Sequence, residues 1–246
     1  MPLLEVERLS KRFGGVRAVH EVTFVLEEGE LLGIMGPNGS GKTTLFNLIA
    51  GALRPDAGRI RFGGGEIGGL PAHRVCAAGV ARTFQLVRPF AGLTVLDNVL
   101  VGRLYGRAHT TRAEALGEAR RLLGVLGLEA RAHEPAARLT LIDRKRLELA
   151  RALATSPRLL LLDEFMAGLN PTETAIAMDL VRDLVAAGVS VLMVEHIVWA
   201  LMDLARRIVV LSAGEKIADG PPATVAADPN VVDVYLGGDV GHRARA

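Results

Sequence analysis

Apolar and polar residues alternate along the first part of the chain in the pattern that strands produce. The alternation predicts strands over residues 4–9 and 19–26. An apolar run at residues 30–35 predicts a buried strand, and apolar residues at helical spacing then predict a helix over residues 43–53. A glycine-dense stretch at residues 58–69 predicts a hairpin-like pair of strands.

The pattern becomes helical in the middle of the chain and then returns to strands. Residues 93–156 are rich in Ala, Arg, Leu and Glu and predict an inserted group of helices. A fully apolar run then predicts a buried strand at residues 159–162, and mostly apolar runs predict further buried strands at residues 189–194 and 208–211. This alternation of strands with helices favours an α/β fold.

A further helix is predicted between the first two of these buried strands. Asn170 is a favoured N-cap residue, and Pro171 suits the first helical position, where no backbone N–H is needed. Gly188 indicates where the helix ends. We assign its buried face to five apolar residues: Ile176, Leu180, Val181, Leu184 and Val185.

Composition and charge narrow the classes of protein that remain. The 246 residues are half apolar and 4% aromatic, which favours a large aliphatic core. The net charge of +2 and the scattered Arg residues favour an ordinary solvated surface over a nucleic-acid-binding face. The lone Cys76 cannot form an internal disulfide, which fits a reducing compartment. Charges come too early for a signal peptide, and no apolar run reaches the ~18 residues of a membrane span, so we expect membrane contact only through a partner.

A glycine-rich loop follows the strand predicted at residues 30–35. Residues 36–43, GPNGSGKT, match the phosphate-binding pattern G-x-x-x-x-G-K-[ST] in full. In this pattern backbone N–H groups and a helix N-terminus face the phosphates, the lysine reaches the outer phosphates, and the last hydroxyl faces Mg²⁺. We therefore predict ATP and Mg²⁺ as ligands. The predicted nucleotide-binding residues here are Gly36, Pro37, Asn38, Gly39, Ser40, Gly41, Lys42, Thr43 and Thr44.

Two acidic residues end the apolar run LLLLDE. Asp163 stands where a carboxylate can hold Mg²⁺, directly or through water, and Glu164 where a general base can activate water. An acidic helix cap after a strand is the alternative explanation, but the lysine loop earlier in the chain favours the catalytic one. We predict Thr43 and Asp163 as metal ligands, and Lys42 and Glu164 as catalytic residues.

The order of these motifs resembles that of ABC transporter ATPase subunits. The resemblance includes ARTFQ, ending at Gln85, and VLMVEH, ending at His196, and it covers nearly the whole chain. It implies that Gln85 senses the γ-phosphate and Mg²⁺ beside the membrane partner, with Val87 and Phe90 in the groove that receives a partner helix. It also implies that His196 is catalytic and that Phe13, in KRFGG, stacks on adenine.

The resemblance also implies the division of the chain. We expect one ABC ATPase domain over residues 1–246, of the α/β class. Residues 1–87 and 158–246 would form a P-loop NTPase core with an antiparallel β subdomain, and residues 88–157 an inserted helical subdomain. Residues 167–170 resemble the loop that crosses the dimer interface.

The segment matching the family's signature, near L-S-G-G-Q, departs from it. Here the residues are LTLID, and Ile142 replaces a glycine that normally lets the backbone approach phosphate. A β-branched side chain should obstruct that approach and disfavour a positive φ. Asp143 adds a negative charge, whereas Thr140 still offers a hydroxyl. Milder departures are Phe165 in place of proline and Ile197 in place of aspartate.

These departures suggest an asymmetric pair of ATP sites. We expect this chain's phosphate loop to work with the signature of a second ATPase subunit, while its own signature serves a slower site.

Strings such as FGGVRAV and ADPNVVDVYLG resemble the ATPases of branched-chain amino-acid importers, and less closely those for urea and amides. The expected partners are integral-membrane permease subunits, the second ATPase and, indirectly, a periplasmic or extracellular solute-binding protein, with the chain peripheral at the cytoplasmic face of the membrane. The alternatives are a subunit that binds ATP with little turnover, and a soluble ABC-type ATPase acting on DNA or ribosomes.

Overall fold

The computed structural model describes residues 2–83, 89–107 and 111–236. The strands in this part of the chain are β1 (Pro2–Phe13), β2 (Val16–Glu27), β3 (Leu31–Met35), β4 (Ala57–Phe62), β5 (Gly65–Glu66), β6 (Val80–Arg82), β7 (Leu159–Asp163), β8 (Ser190–Val194), β9 (Arg207–Ser212) and β10 (Glu215–Gly220). The helices are α1 (Lys42–Ile49), α2 (Ala72–Ala78), α3 (Val95–Tyr105), α4 (Arg112–Val125), α5 (Leu141–Ala154), α6 (Pro171–Ala186), α7 (Val198–Leu204), α8 (Pro222–Ala226) and α9 (Pro229–Leu236). None of these helices has the length and apolar character needed to cross a membrane.

The strands form two sheets of different kinds. The first is antiparallel, with the order β2-β1-β4-β5. The second has the order β10-β9-β3-β8-β7-β6 and is parallel except for β10 at its edge. Every residue of β3, β7 and β8 is buried, as expected of central strands covered on both faces.

The core has two parts, one against each face of the parallel sheet. Successive residues of β7 alternate between them: Leu160 and Leu162 pack in one hydrophobic cluster, and Leu159 and Leu161 in the other. The first cluster contains α3, α4 and α5, and the second contains α1 and the antiparallel sheet. The α/β class predicted from the sequence is therefore confirmed.

Register within the parallel sheet places two strand ends side by side. Asp163, the last residue of β7, lies opposite Val194, the last residue of β8. Parallel strands present their carboxyl ends at the same edge, so the residues that follow β7 and β8 meet there. Met35, at the end of β3, leads into the glycine-rich loop at this same edge.

Some sequence predictions of elements differ from the structure. The helix after the glycine loop ends at Ile49 rather than at residue 53, because Gly51 turns the chain with φ of 72°. Ile176, predicted in the buried face of α6, is 39% exposed, because the buried stripe of α6 runs through Ala177 and Met178 instead. The Asn170 cap and Pro171 start of α6 are present as predicted.

Candidate nucleotide-binding site

Three glycines shape the loop between β3 and α1, each with a positive φ. Gly36, Gly39 and Gly41 have φ of 152°, 80° and 102°. A Cβ on Gly36 would lie 2.2 Å from the Leu211 carbonyl oxygen, and one on Gly41 would lie 2.2 Å from that of Ala18. Two of the three glycines are therefore required by backbone packed behind the loop, in addition to their φ angles.

Lys42, the first residue of α1, lies over the loop that precedes it. Its ammonium donates hydrogen bonds to the carbonyl oxygens of Gly36 (2.7 Å) and Pro37 (2.9 Å). Burial lowers the pKa of Lys42, opposed by the negative charges of Glu164 and Asp163. The lysine, the loop and both acidic residues thus share one electrostatic environment.

The remaining loop residues differ in exposure. Asn38 and Thr43 are exposed, and Thr44 is half-buried. Ser40 is 1% exposed, and its hydroxyl has no hydrogen-bond partner among the residues described here. A buried hydroxyl without a partner is unfavourable, so it suits a loop that receives further hydrogen-bonding atoms.

Asp163 and Thr43 both line a cavity of about 710 Å³ next to the loop. A carboxylate and a hydroxyl are hard oxygen donors of the kind that Mg²⁺ prefers. The predicted third metal ligand, Gln85, lies outside the described residues. The carboxylate of Asp163 and the hydroxyl of Thr43 fit a magnesium site. Their role as metal ligands stays a prediction.

A buried arginine that the sequence reasoning missed is paired with Asp163. The Arg82 guanidinium lies 2.6 Å from Asp163 Oδ2, and both side chains are under 10% exposed. Its other terminal nitrogen donates to Asn47 Oδ1 on α1 at 2.5 Å. Arg82 ends β6, a strand of three residues, which is too short for periodicity to reveal. The sequence feature that could have revealed Arg82 is its position inside the motif ARTFQ, just before Thr83.

Glu164 and His196 meet at the ends of β7 and β8, as the register requires. His196 Nε2 lies 2.6 Å from Glu164 Oε1, with the histidine side chain 48% exposed and the glutamate 12%. Glu164 has φ of 50°, which is uncommon for a residue with a side chain. Its N–H donates to the Val194 carbonyl oxygen at 2.9 Å, which ties this turn to the end of β8.

Phe13 lies at the tip of the β1–β2 hairpin. It pairs across the hairpin with Val16 and is 48% exposed, with Lys11 Nζ 5.7 Å from its ring centroid. The return strand carries Ala18, whose carbonyl packs against Gly41 of the loop. The exposed ring of Phe13 is accessible to a ligand, and its role towards adenine stays a prediction.

The signature segment forms the N-cap and first turn of α5, and it does not form a left-handed turn. Thr140 is the N-cap, and its hydroxyl donates to Asp143 Oδ2 at 2.8 Å. Arg131 and Arg146 lie 2.5 Å and 3.3 Å from the carboxylate oxygens of Asp143 and balance its charge. Ile142 lies in the first helical turn without a positive φ. The objection based on a positive φ at Ile142 is therefore wrong, whereas obstruction of the phosphate approach by its side chain stays a prediction.

A lysine-bearing glycine loop before a helix, with acidic residues that follow another parallel strand at the same edge of the sheet, defines a P-loop nucleoside-triphosphatase. The sequence profile of a family described as ABC transporter matches residues 19–167. A second, described as branched-chain amino acid ATP-binding cassette transporter, matches residues 215–241. The chain belongs to the ABC transporter family, as an ATP-binding subunit whose ATPase activity drives transport.

Individual relatives match over nearly their whole length. The high-affinity branched-chain amino acid transport ATP-binding protein BraF of Pseudomonas aeruginosa is 40% identical, covering 96% of this chain and 98% of BraF. The corresponding protein LivG of Escherichia coli is 38% identical with the same coverage. The ADP conformation of MJ1267, an ATP-binding cassette of an ABC transporter, superposes with a TM-score of 0.88 at 31% identity, covering 96% of this chain and 99% of that one.

Proposed function

We propose that this chain hydrolyses Mg²⁺-bound ATP to drive uptake of branched-chain amino acids. The observation that carries the hydrolytic role is the 2.6 Å contact between Glu164 and His196 at the edge that holds the phosphate loop. The solute rests on the full-length similarity to BraF and LivG and on the match of residues 215–241. The chain works at the cytoplasmic face of a membrane with permease subunits, a second ATPase subunit and, indirectly, a solute-binding protein.

Each residue of the site has a definite task in this proposal. The loop and Lys42 bind and orient the phosphates, and Phe13 holds the adenine. Glu164 accepts the proton of the attacking water, while His196 fixes the Glu164 carboxylate by its hydrogen bond and approaches the γ-phosphate. Thr43, Asp163 and Gln85 would hold Mg²⁺, which supplies charge neutralisation on the β- and γ-phosphate oxygens.

The hydrolytic role is tested by Glu164→Gln in the transporter assembled with its membrane subunits. Turnover should fall about 10²- to 10⁴-fold while ATP affinity stays near that of the parent, because only proton transfer is removed. Glu28→Gln, at a glutamate whose side chain is 63% exposed, is the matched control and should retain full turnover. Equal turnover in Glu164→Gln and the parent would favour a subunit that binds ATP without hydrolysing it.

The solute is tested by uptake into vesicles that contain the complete transporter. Labelled leucine, isoleucine and valine should enter in an ATP-dependent way that Glu164→Gln abolishes. Urea and short amides serve as the competing solutes. Uptake of these and not of the amino acids would reject the proposed solute class and leave the ATPase role standing.

The permease contact is proposed at the cavity beside the phosphate loop. The cavity is lined by residues of α2, α3 and α5, including Arg151, whose guanidinium carbon lies 4.5 Å from the centroid of the exposed Phe90 ring. Cys76, the only cysteine of the chain, lines the same cavity and is half-buried. Val87, also predicted to receive the partner helix, lies outside the described residues.

Cys76 therefore provides a direct probe of this contact. Maleimide labelling of Cys76 should be slower in the assembled transporter than in the isolated subunit, because a partner helix covers the cavity. A cysteine placed at Glu28 in a Cys76→Ser background is the control and should label at the same rate in both. Equal labelling of Cys76 in both states would place the permease elsewhere.

A further inference from the structure

Two buried charged residues without a role in the proposed site surround the main chain that follows β7. Lys145, on α5, is 2% exposed, and Glu195, between β8 and His196, is 3% exposed. Burial of a charge is costly unless it is compensated by partners. The contacts of these two side chains therefore indicate what they stabilise.

Lys145 contacts the first two residues of the turn after β7. Its ammonium donates to the Glu164 carbonyl oxygen at 3.4 Å and lies 5.9 Å from the centroid of the Phe165 ring. Burial lowers the pKa of Lys145, opposed by the charges of Glu148, Glu195 and Glu164. The lysine is thus buried in a site where three glutamates favour its charged form.

Glu195 contacts the third residue of the same turn. Its Oε1 accepts a hydrogen bond from the Met166 N–H at 2.8 Å, whereas its buried Oε2 has no hydrogen-bond partner within the described ranges. Burial raises the pKa of Glu195 to about 7, opposed by the Met166 N–H and by the charge of Lys145. The burial of Glu195 is therefore unfavourable for its charged form, and its Oε1 holds the Met166 main chain.

The turn that these residues contact carries the side chain proposed as general base. Glu164 has φ of 50°, a conformation that persists in a residue with a side chain only where its surroundings impose it. Its N–H is bound by Val194 of β8, and its carbonyl oxygen accepts from Ala167 N and Lys145 Nζ. Lys145 is the member of this set that lies on α5, the helix whose N-cap is Thr140.

We propose that Lys145 and Glu195 are positioning residues for Glu164. They fix the main chain of residues 164–166 so that the Glu164 carboxylate meets His196, and Lys145 ties this geometry to the seating of α5. The helix that presents this chain's signature is thereby joined to the general base of its own site. This inference rests on the proposed function, because it assigns Glu164 the role of general base.

The test uses ATP turnover by the assembled transporter, with the thermal midpoint of the isolated subunit as a check on folding. Lys145→Met should lower kcat by about tenfold to 10²-fold, as a misplaced catalytic group does, with KM for ATP changed less than about twofold. Lys145→Arg restores the charge and most of the rate. Lys216→Met is the matched control, since Lys216 pairs with Asp219 on β10, and it should leave both constants unchanged.

Two further variants distinguish positioning from general stability. Glu195→Gln keeps an oxygen for the Met166 N–H and should keep most of the rate, whereas Glu195→Leu should lower kcat as Lys145→Met does. In a Glu164→Gln background, Lys145→Met should cause no further loss, because it acts through Glu164.

Three outcomes would overturn the proposal in distinguishable ways. Unchanged kcat in Lys145→Met and Glu195→Leu, with turnover abolished by Glu164→Gln, would reject positioning and leave the general base in place. A further loss in the Glu164→Gln background would show that Lys145 acts elsewhere. Unchanged turnover in Glu164→Gln itself would remove the general base and the positioning role with it.

Discussion

Replacing Glu195 by Gln should remove a pH dependence from the stability of the isolated subunit. Burial raises the pKa of Glu195 from 4.5 to about 7. The folded state therefore holds a proton that the unfolded chain has lost, and stability present below pH 4.5 is lost as the pH rises to about 7. At 1.36 kcal/mol per unit, a shift of about 2.5 units corresponds to about 3 kcal/mol.

Gln has the shape of the protonated acid but does not titrate. The Glu195→Gln variant and the parent should thus be nearly equally stable near pH 4.5, and the variant should be more stable by about 3 kcal/mol above pH 7. Urea denaturation of both proteins at half-unit intervals from pH 5 to 8 measures this difference directly. A stability difference that stays constant across the series would refute the reasoning, because titration of other groups cancels between the two proteins.

Three further predictions concern the nucleotide site. Gly41→Ala places a Cβ at a positive φ and against the Ala18 carbonyl, so it should abolish ATP binding, as a nucleotide-binding assay would show. Gly39→Ala also has a positive φ but open space around its Cβ, so it should lower stability by only about 1–2 kcal/mol, as measured by urea denaturation. Arg82→Met removes the cation paired with the buried Asp163 and should destabilise the subunit by about 3–5 kcal/mol in urea denaturation. Adding Asp163→Asn to Arg82→Met should recover most of this stability if the unpaired charge is the cause. Ile142→Gly should lower subunit stability by up to about 1 kcal/mol but raise turnover of the two-chain complex; unchanged single-turnover hydrolysis would show that Ile142 is harmless.

The sequence was most informative where one pattern repeats over many residues or where a motif is complete. The largely apolar runs at residues 159–162 and 189–194 correspond to β7 and β8, because a strand covered on both faces is mostly apolar rather than alternating. The phosphate loop was recognisable because its glycines and lysine occur at fixed spacing. Asn170 and Pro171 marked the start of α6 by local chemistry alone.

The sequence was least informative where contacts depend on strand order. Arg82 belongs to a three-residue strand, and its pairing with Asp163 arises because β6 and β7 are neighbours, although 81 positions separate the two residues. Glu195 and Lys145 carry charges, which sequence reasoning places on the surface. Their burial follows from tertiary contacts with the turn after β7, which no local pattern encodes.

The structure also changes the argument for two unequal ATP sites. The backbone objection to Ile142 is removed because the residue lies inside a helical turn, and the negative charge of Asp143 is balanced by two arginines. What remains is a branched side chain at the start of α5. If Lys145 positions Glu164, a change in how α5 is seated affects two sites at once: the site that this chain's signature is proposed to serve, and this chain's own, where Glu164 is proposed to act. The Ile142→Gly experiment should therefore follow hydrolysis at each site separately. An effect confined to the partner's site would show that the bulk of the Ile142 side chain acts locally and is not transmitted through Lys145.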